Sequence, residues 1–256
     1  MYKLLKKIYR KLTPNKFHYK IEPFLRIIIY YFIYKGNAVQ CNICTAKSKK
    51  FVHISFTNSN DKICPKCGSL SRSRALNFYI NKYFQNQNQN ILDFSPHRSL
   101  HDSFNKKFPN YISSDYENQF FAEKNYDITN ITEVNESFHL VICFHVLEHI
   151  LEDEKAIKEL FRILKKDGYL ILQVPIKDGF TYEDSSLISK KDRLEAFGQE
   201  DHVRIYGQES LIKILQKQLF EVNVIDISKE FDAKQKKHFG ISEKEIIFKC
   251  KKSTVY

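Results

Sequence analysis

The chain has 256 residues, 43% of them hydrophobic, and a formal net charge of +11. This size suits one full-sized domain with a small appendage. Of its six cysteines, four lie in paired motifs, which excludes a disulfide scaffold and predicts a reducing, cytoplasmic environment. The other two, Cys143 and Cys250, stand in apolar runs and are expected to be buried.

The positive charge is concentrated at the start of the chain. Residues 1–50 contain twelve Lys and Arg against one acid, Glu22, so their net charge equals that of the whole chain. The remaining residues carry balanced charges. Such a basic segment favours an anionic partner: a membrane surface, a nucleic acid or an acidic polymer.

Residues 1–36 are predicted to form a basic amphipathic helical segment. Apolar residues recur at helical spacing in MYKLLKKIYRKL, and residues 21–34 are mostly apolar and aromatic. That second run is shorter than the roughly 20 residues of a membrane span, and no small-residue cleavage site of a signal peptide follows it. Two interpretations stay open: peripheral contact with the inner face of an anionic membrane, or packing on the main domain with the lysines in solvent.

Two C-x-x-C pairs lie close together in residues 37–70. Cys41 and Cys44 form the first pair, Cys64 and Cys67 the second, and nineteen residues separate them. This spacing is typical of a four-thiolate zinc ribbon. Four thiolates complete a tetrahedral Zn²⁺ shell, so the expected metal is structural. Gly68, directly after the second pair, is expected to have a positive φ.

Residues 71–90 are predicted to be a connecting helix followed by a polar linker rich in Gln and Asn. From residue 91 to 256, apolar strand-like runs alternate with amphipathic helices. The strands are expected at 91–94, 111–115, 140–146 and 169–175, with a helix over 152–164 that ends at Gly168. This alternation predicts a parallel sheet with helices on both faces and a ligand at the carboxyl ends of the strands.

The run FHLVICFHVLEHILEDEKAIKELFRILKKDGYLILQVP, residues 138–175, resembles the fourth strand, following helix and fifth strand of class I S-adenosylmethionine-dependent methyltransferases. The strings CPKCGSLSRSR and FGQEDHVRIYG resemble a bacterial subfamily that carries an N-terminal four-cysteine zinc ribbon and is often encoded among cell-surface polysaccharide genes. The resemblance implies a doubly wound α/β fold with a mostly parallel, seven-stranded, Rossmann-like sheet, and S-adenosyl-L-methionine as cofactor.

The resemblance also implies roles for individual residues. The methionine part of the cofactor is expected beside Asp93, Phe94, Ser95 and Pro96. Asp115 would accept hydrogen bonds from the ribose, and Asp127 and Ile128 would meet the adenine. His145, after the fourth strand, would face the cofactor or the acceptor. The loop LDFSPHRSL departs from the family because it lacks the usual glycines.

The acceptor side is expected in FGQEDHVRIYG, residues 197–207. His202, beside Asp201, is predicted to act as a general base, and His145 is the second catalytic candidate. The planar guanidinium of Arg204 suits an anionic group on the acceptor. No metal-ligand spacing stands out in residues 91–256, which predicts metal-independent transfer.

These features favour an S-adenosylmethionine-dependent enzyme that methylates a hydroxyl of a glycan or cell-surface polysaccharide precursor. The alternative is a zinc-ribbon protein that binds RNA or protein on a degenerate methyltransferase scaffold, and the loss of glycine from the cofactor loop favours it. A nucleic acid is the less favoured partner.

Overall fold

The computed structural model describes residues 15–55, 60–117 and 122–253. The chain divides into two compact units, one made of Met1–Phe78 and Phe231–Glu243, the other of Tyr79–Glu230 and Lys244–Tyr256. The predicted helix at the extreme N-terminus, residues 1–12, lies outside the described residues. Within those residues, no helix has the length and apolar character needed to cross a bilayer.

The first unit is built on short hairpins and three helical segments. Helix α1 (Asn15–Ile29) continues into a π-helical turn (Tyr30–Tyr34). Strand β1 (Lys35–Gln40) pairs antiparallel with β2 (Lys47–Ser48), and β3 (Val52–Ser55) pairs antiparallel with β4 (Asn60–Ile63). The unit also holds the first turns of α2 (Ser71–Tyr83) and the short helix α7 (Ala233–Phe239). Helix α7 comes late in the chain, within residues 91–256, and belongs to this first unit.

The second unit is organised around one sheet. Its strands are β5 (Ile91–Phe94), β6 (Tyr111–Ser114), β7 (Phe138–Phe144), β8 (Leu164–Gln173), β12 (Phe220–Asp226) and β13 (Ile246–Lys252). Their order is β12-β13-β8-β7-β5-β6, and β6, β5, β7 and β8 run parallel. Strand β13 pairs antiparallel with both β8 and β12. This is the predicted doubly wound, mostly parallel Rossmann-like sheet.

The helices of this unit are α3 (Arg98–Lys107), α4 (Asp153–Ile163), α5 (Lys190–Phe197) and α6 (Gln208–Lys217). Three short strands, β9 (Ile176–Lys177), β10 (Tyr182–Glu183) and β11 (Arg204–Gly207), form a small second sheet. Helix α4 buries Ala156, Ile157 and Leu160 completely, as its spacing predicts. Cys143 and Cys250 are fully buried, as expected from their apolar runs.

Two details differ from the sequence expectations. The described residues give six strands in the main sheet instead of seven, and at its edge Lys124 forms a single parallel bridge with Ser114. Helix α4 does not end at a glycine cap, because Leu164 is already extended and starts β8. The positive φ in this turn belongs to Asp167, at 60°. Gly168 is needed for space instead, because a Cβ there would lie 2.8 Å from the Lys165 carbonyl oxygen.

Candidate active site

Two residues with left-handed backbone conformations lie at the carboxyl edge of the sheet. Ser95 (φ 48°) directly follows β5, and His145 (φ 55°) directly follows the neighbouring strand β7. Neither is glycine, so each conformation costs about 1–2 kcal/mol that the surrounding structure must offset. Such strain tends to occur at functional sites, and this edge is where doubly wound sheets bind their ligands.

The loop after β5 keeps a tight turn without glycine. The Ser95 N–H donates to the Ser114 carbonyl at 2.7 Å, and its hydroxyl donates to Oδ1 of Asp115 at 3.2 Å. His97 then caps the start of α3 by accepting from the Ser99 N–H. Ser95 is exposed and Asp115 is buried. The hydrogen bond between their side chains joins the ends of β5 and β6. The missing glycines have therefore not abolished the turn.

Asp93 takes a different position from the one expected for a cofactor ligand. Its carboxyl is buried and accepts a hydrogen bond from the Tyr111 hydroxyl at 3.0 Å. Burial raises the pKa of Asp93 to about 8, although the bond from Tyr111 acts in the opposite direction. Asp93 therefore ties β5 to β6 beneath the Ser95 turn and does not present its carboxylate to solvent.

The other predicted cofactor residues differ in hydrogen bonding and in burial. Asp127 accepts from both the N–H and the hydroxyl of Thr129 through Oδ1, and these two bonds lower its pKa. The side chain of Ile128 is buried in the hydrophobic core. Phe94 and Pro96, which flank Ser95, are also buried. Contacts from Ile128, Phe94 and Pro96 to a cofactor would therefore come mainly from their main chains.

His145 forms a pair with a buried carboxylate. Its Nδ1 lies 3.0 Å from Oε1 of Glu148, which is fully buried. Burial alone would raise the pKa of Glu148, but the hydrogen bond and charge of His145 outweigh it and the pKa lies below its ordinary value. A carboxylate can only accept, so the bond to Oε1 comes from the N–H at Nδ1 of His145, and in the tautomer protonated there Nε2 keeps its lone pair.

Glu148 also belongs to a second cluster, with His149 and His202. One ligand-type atom from each of the three residues lies within 4.8 Å of the others. The rings of His149 and His202 meet edge to face with centroids 4.7 Å apart. Two of the buried polar atoms here, Oε2 of Glu148 and Nδ1 of His202, have no hydrogen-bond partner. Burial lowers the pKa of His202, which favours the neutral form of its ring.

The segment that carries His202 is held by its neighbours in sequence. Val203 donates its N–H to the Glu148 carbonyl at 2.9 Å. Arg204 is buried and contacts Glu183 at 2.8 Å, Asp153 at 3.2 Å and the main-chain carbonyls of Ile150 and Leu151. The expectation that Arg204 meets an anionic acceptor does not fit this arrangement, because its nitrogens are already used inside the protein.

The predicted pairing of His202 with Asp201 is also absent. Oδ2 of Asp201 lies 3.4 Å from Nδ1 of His149, and its side chain is mostly exposed. His202 instead turns inward toward His149 and Glu148. The structure thus brings His145 and His202 together around Glu148.

A polar cavity of about 620 Å³ occupies the opposite end of the sheet. Asn90, Asn110 and Ser137 line it, and they directly precede β5, β6 and β7. It therefore lies at the amino ends of these strands, away from Ser95, Asp115 and His145. We assign it no role, because the ligands of doubly wound sheets bind at the carboxyl ends.

The four paired cysteines converge in the first unit. Sγ of Cys41 lies 3.7 Å from Sγ of Cys67, and Sγ of Cys44 lies 3.8 Å from Sγ of Cys64. These separations are far longer than the roughly 2.05 Å of a disulfide. Hydrogen bonds with Cys44 and Cys64 hold the pKa of Cys41 below its ordinary value. Gly68 has a φ of 81°, as predicted for the residue after the second pair.

A single buried arginine braces the cysteine cluster. Arg74 donates to the carbonyls of Ser69, Lys62, Phe239 and Gly240, and its guanidinium lies 4.4 Å from the centre of the Phe51 ring. These bonds connect the second C-x-x-C turn to the end of α7 within the same unit. The positive charge also favours thiolates nearby.

The fold is a doubly wound α/β sheet, and its candidate site lies at the carboxyl ends of β5, β6 and β7. A family model described as a methyltransferase domain matches residues 71–223, more than half of the chain. The chain therefore belongs to the methyltransferase-domain family, and it is an S-adenosylmethionine-dependent methyltransferase. Among curated proteins, none is detectably similar to it in sequence.

The comparison with solved structures found several that are similar to the chain at low sequence identity. YcgJ from Bacillus subtilis is 14% identical with a TM-score of 0.48, over 71% of this chain and 99% of that one. An S-adenosylmethionine-dependent methyltransferase from Thermotoga maritima is 17% identical with a TM-score of 0.44, over 72% and 88%. Phosphoethanolamine N-methyltransferase 2 of Haemonchus contortus, solved with S-adenosyl-L-methionine, is 15% identical with a TM-score of 0.43, over 62% and 39%. The family assignment itself rests on the match to the family model.

No role is predicted from the sequence for Glu148 and His149. The available signal is the spacing H-x-x-E-H over residues 145–149, in which Glu148 and His149 stand in the 3₁₀ turn Leu147–His149 and His145 comes just before it. The partnership with His202 had no such signal. It depends on a main-chain bond between residues 55 positions apart.

Proposed function

We propose that this methyltransferase transfers the methyl group of S-adenosyl-L-methionine to a hydroxyl of a glycan or cell-surface polysaccharide precursor. The observation that carries the proposal is the His145–Glu148 pair at the end of β7. A hydroxyl acceptor must lose a proton as it attacks, so a neutral histidine oriented by a carboxylate suits this reaction.

The reaction is a displacement at the sulfonium methyl. A bond forms between the acceptor oxygen and the methyl carbon, and the bond from that carbon to sulfur breaks, leaving S-adenosylhomocysteine. The acceptor proton moves to Nε2 of His145, while Glu148 stabilises the resulting imidazolium. Most of the remaining rate enhancement is expected from positioning of the two substrates.

The cofactor is assigned to the edge formed by Ser95, Asp115 and Asp127. Asp115 stands at the end of the strand next to β5, where an acid holds the ribose in other doubly wound folds. The Ser95 turn preserves the tight conformation that glycine usually supplies. This observation favours the enzyme over a degenerate scaffold.

The glycan acceptor is supported by the resemblance of the FGQEDHVRIYG segment to enzymes encoded among polysaccharide genes, and by two exposed aromatic residues. Phe180 and Tyr182 lie after the carboxyl end of β8, with exposed fractions of 79% and 40%. Flat aromatic rings suit the apolar faces of sugars.

A structural Zn²⁺ is part of the proposal, held by Cys41, Cys44, Cys64 and Cys67. A tetrahedral ion with Zn–S bonds of about 2.3 Å separates its sulfurs by about 3.8 Å. The Sγ–Sγ separations of 3.7 Å for Cys41 and Cys67 and 3.8 Å for Cys44 and Cys64 fit this geometry. All four residues supply thiolates, so the shell would be closed to water and substrate.

The proposal also includes peripheral contact with the anionic inner face of the membrane. The face of α1 and the turn after it expose Phe24, Ile28, Tyr31 and Phe32 to solvent. Lys35 lies near the ring of Tyr31, and the sequence before α1 is strongly basic. Apolar rings combined with lysines are typical of an interfacial helix, which would keep the enzyme near lipid-linked acceptors.

Cofactor titration followed by a turnover assay tests the function. Asp115→Asn should weaken S-adenosyl-L-methionine binding roughly tenfold or more, the scale expected for loss of a charge-assisted hydrogen bond. Asp192→Asn, at an exposed acid of α5, is the matched control and should bind normally. His145→Gln should keep its affinity but lose about 10²–10⁴ in methyl transfer to a lipid-linked glycan fraction. An absence of binding by the wild type at millimolar cofactor would favour the RNA- or protein-binding alternative.

A further inference from the structure

The proton transfer assigned to His145 uses Oε1 of Glu148 and leaves Oε2 of Glu148, His149 and His202 without a role. One ligand-type atom from each residue lies within 4.8 Å of the others. Two of the three side chains are almost entirely buried, with exposed fractions of 0% for Glu148 and 2% for His202. A buried cluster of this kind must be satisfied by something, because unpaired buried polar atoms are costly.

The unsatisfied atoms belong to these same residues. Oε2 of Glu148 and Nδ1 of His202 are buried without a hydrogen-bond partner. The other carboxylate oxygen, Oε1, is held by His145 at 3.0 Å. His145 thus orients Glu148 through Oε1, and Oε2 is left without a protein partner. Carboxylates that bind a metal ion are commonly held by a hydrogen bond in this way.

The surroundings orient the two histidines as well. Asp201 lies 3.4 Å from Nδ1 of His149, so a carboxylate outside the cluster can fix the tautomer that leaves Nε2 as the ligand atom. The bond from Val203 N–H to the Glu148 carbonyl fixes the main chain next to His202. Each of the three residues therefore has a supporting contact besides the cluster itself.

We propose that Glu148, His149 and His202 bind a divalent first-row transition metal ion. Two imidazoles and one carboxylate suit Zn²⁺, Fe²⁺, Co²⁺ or Mn²⁺ better than the oxygen-preferring Mg²⁺ or Ca²⁺. Three protein ligands leave at least one coordination position open, in contrast to the closed four-cysteine site. The proposal departs from the sequence expectation of metal-independent transfer, and no spacing in the sequence indicates it because the third ligand comes from a segment far along the chain.

The open position suits an oxygen ligand. If the acceptor hydroxyl occupies it, the ion lowers the pKa of that hydroxyl and places it close to His145, which is bonded to the same Glu148. This role rests on the proposed function, whereas binding of the ion does not. Metal binding is therefore measured without cofactor or acceptor.

The test is a Co²⁺ titration, followed by calorimetry and visible absorption, of protein that carries one Zn²⁺ per chain and no excess zinc. A single equivalent of Zn²⁺ fills the four-thiolate site and leaves the three-ligand site empty, so Co²⁺ bound there by nitrogen and oxygen should show d–d bands without thiolate charge-transfer absorption. We expect one Co²⁺ per wild-type chain. His149→Gln and His202→Gln should each weaken binding roughly tenfold or more. The matched control is His53→Gln, the same change at an exposed histidine of β3, and it should bind as the wild type does.

Circular dichroism of each variant distinguishes loss of the metal site from loss of the fold. Because His149 is partly exposed, its substitution should disturb the packing less than that of His202. Two outcomes would overturn the proposal: no Co²⁺ uptake by wild-type protein, which would leave water as the partner of the buried atoms, or unchanged uptake by both histidine variants. If the wild-type protein takes up Co²⁺ but transfers no methyl group to a glycan acceptor, the proposed function is wrong and the proposed ion site is still supported.

Discussion

The main-chain N–H of Val203 donates a hydrogen bond of 2.9 Å to the carbonyl oxygen of Glu148. This bond joins the turn after β7 to the segment before β11, which are far apart in sequence. It places His202 against Glu148 and His149, so the candidate catalytic and metal-binding side chains depend on one main-chain contact. The precision of the site therefore depends on how firmly the 202–204 segment is held.

Arg204 supplies most of that support. Its guanidinium reaches the carboxylates of Asp153 and Glu183 together with the carbonyls of Ile150 and Leu151. The Tyr206 hydroxyl donates to the same Asp153 at 2.6 Å. Only a planar, multiply donating group can satisfy this set, so lysine is not an equivalent replacement.

Arg204→Lys should destabilise the protein by about 2–4 kcal/mol, because a buried carboxylate and two carbonyls lose their donors. Urea denaturation measures the change. Arg193→Lys is the control, since the Arg193 side chain donates to the Leu187 carbonyl at 2.9 Å, and the cost of the change should stay below about 1 kcal/mol. Equal losses in the two variants would show that Arg204 does not support the site.

Much of the fold could be predicted because its signals are local. The fully buried run Leu140–Cys143 reads as a central strand from composition alone, and α4 shows its apolar face directly in its spacing. The boundary between α4 and β8 was missed because Lys165 and Lys166 look like a solvated helix end. In the structure they already belong to an extended strand.

The site was predictable only where residues near in sequence act together. The C-x-x-C pairs converge as their spacing indicates, and His145 and Asp115 lie at strand ends. The roles of Arg204 and Asp93 were not predictable, because a side chain that points into the protein has the same sequence pattern as one that faces a ligand. Burial and hydrogen-bond partners decide between these, and they depend on tertiary packing.

The Ser95 turn gives a prediction in which glycine is better than alanine. Both substitutions lose the hydrogen bond to Asp115, but only glycine relieves the positive φ. Ser95→Gly should therefore be more stable than Ser95→Ala by about 1 kcal/mol.

Ser186 is the matched control for this comparison. Its hydroxyl also donates to an aspartate, Asp184, at 2.6 Å, and Ser186 is absent from the residues with positive φ. There the glycine variant should be the less stable of the two. Thermal denaturation of the four variants measures these differences in stability. If glycine is more stable than alanine at both positions, or less stable at both, the prediction is wrong.

The four-cysteine site predicts that metal content and folding are linked. Cys64→Ser should lose the zinc and unfold the two hairpins of the first unit, because the metal supplies much of their folding free energy. Cys143→Ala, which removes a buried sulfur from β7, should keep one zinc per chain. Elemental analysis and near-ultraviolet circular dichroism measure both effects. Purified, folded wild-type protein free of zinc would rule the site out.

The exposed rings of α1 and the following turn predict binding to anionic vesicles. Replacing both Phe24 and Phe32, which are 65% and 85% exposed, by Ser should weaken binding roughly tenfold or more. Phe180→Ser changes an equally exposed ring in the other unit and should leave binding intact. Sedimentation with phosphatidylglycerol vesicles gives the measurement. Equal binding by all three proteins, or no binding by the wild type, would favour packing of this segment on the protein.

Asp93 predicts an unusual dependence of stability on pH. Burial raises its pKa from 3.8 to about 8 in the folded protein, against the bond from Tyr111. Between these values the folded state holds a proton that the unfolded state has released. The contribution of this proton to the free energy of unfolding is therefore fully present below about pH 4 and is lost as the pH rises through about 8. Asp93→Asn keeps the shape but cannot titrate, so the wild type should lose stability relative to this variant by roughly 1 kcal/mol per pH unit between about pH 5 and 7. Urea denaturation without cofactor at a series of pH values measures this difference, and Asp192→Asn is the exposed control. If the free energy of unfolding changes with pH in the same way for wild type and Asp93→Asn, the Asp93 carboxyl is ionised in the folded protein.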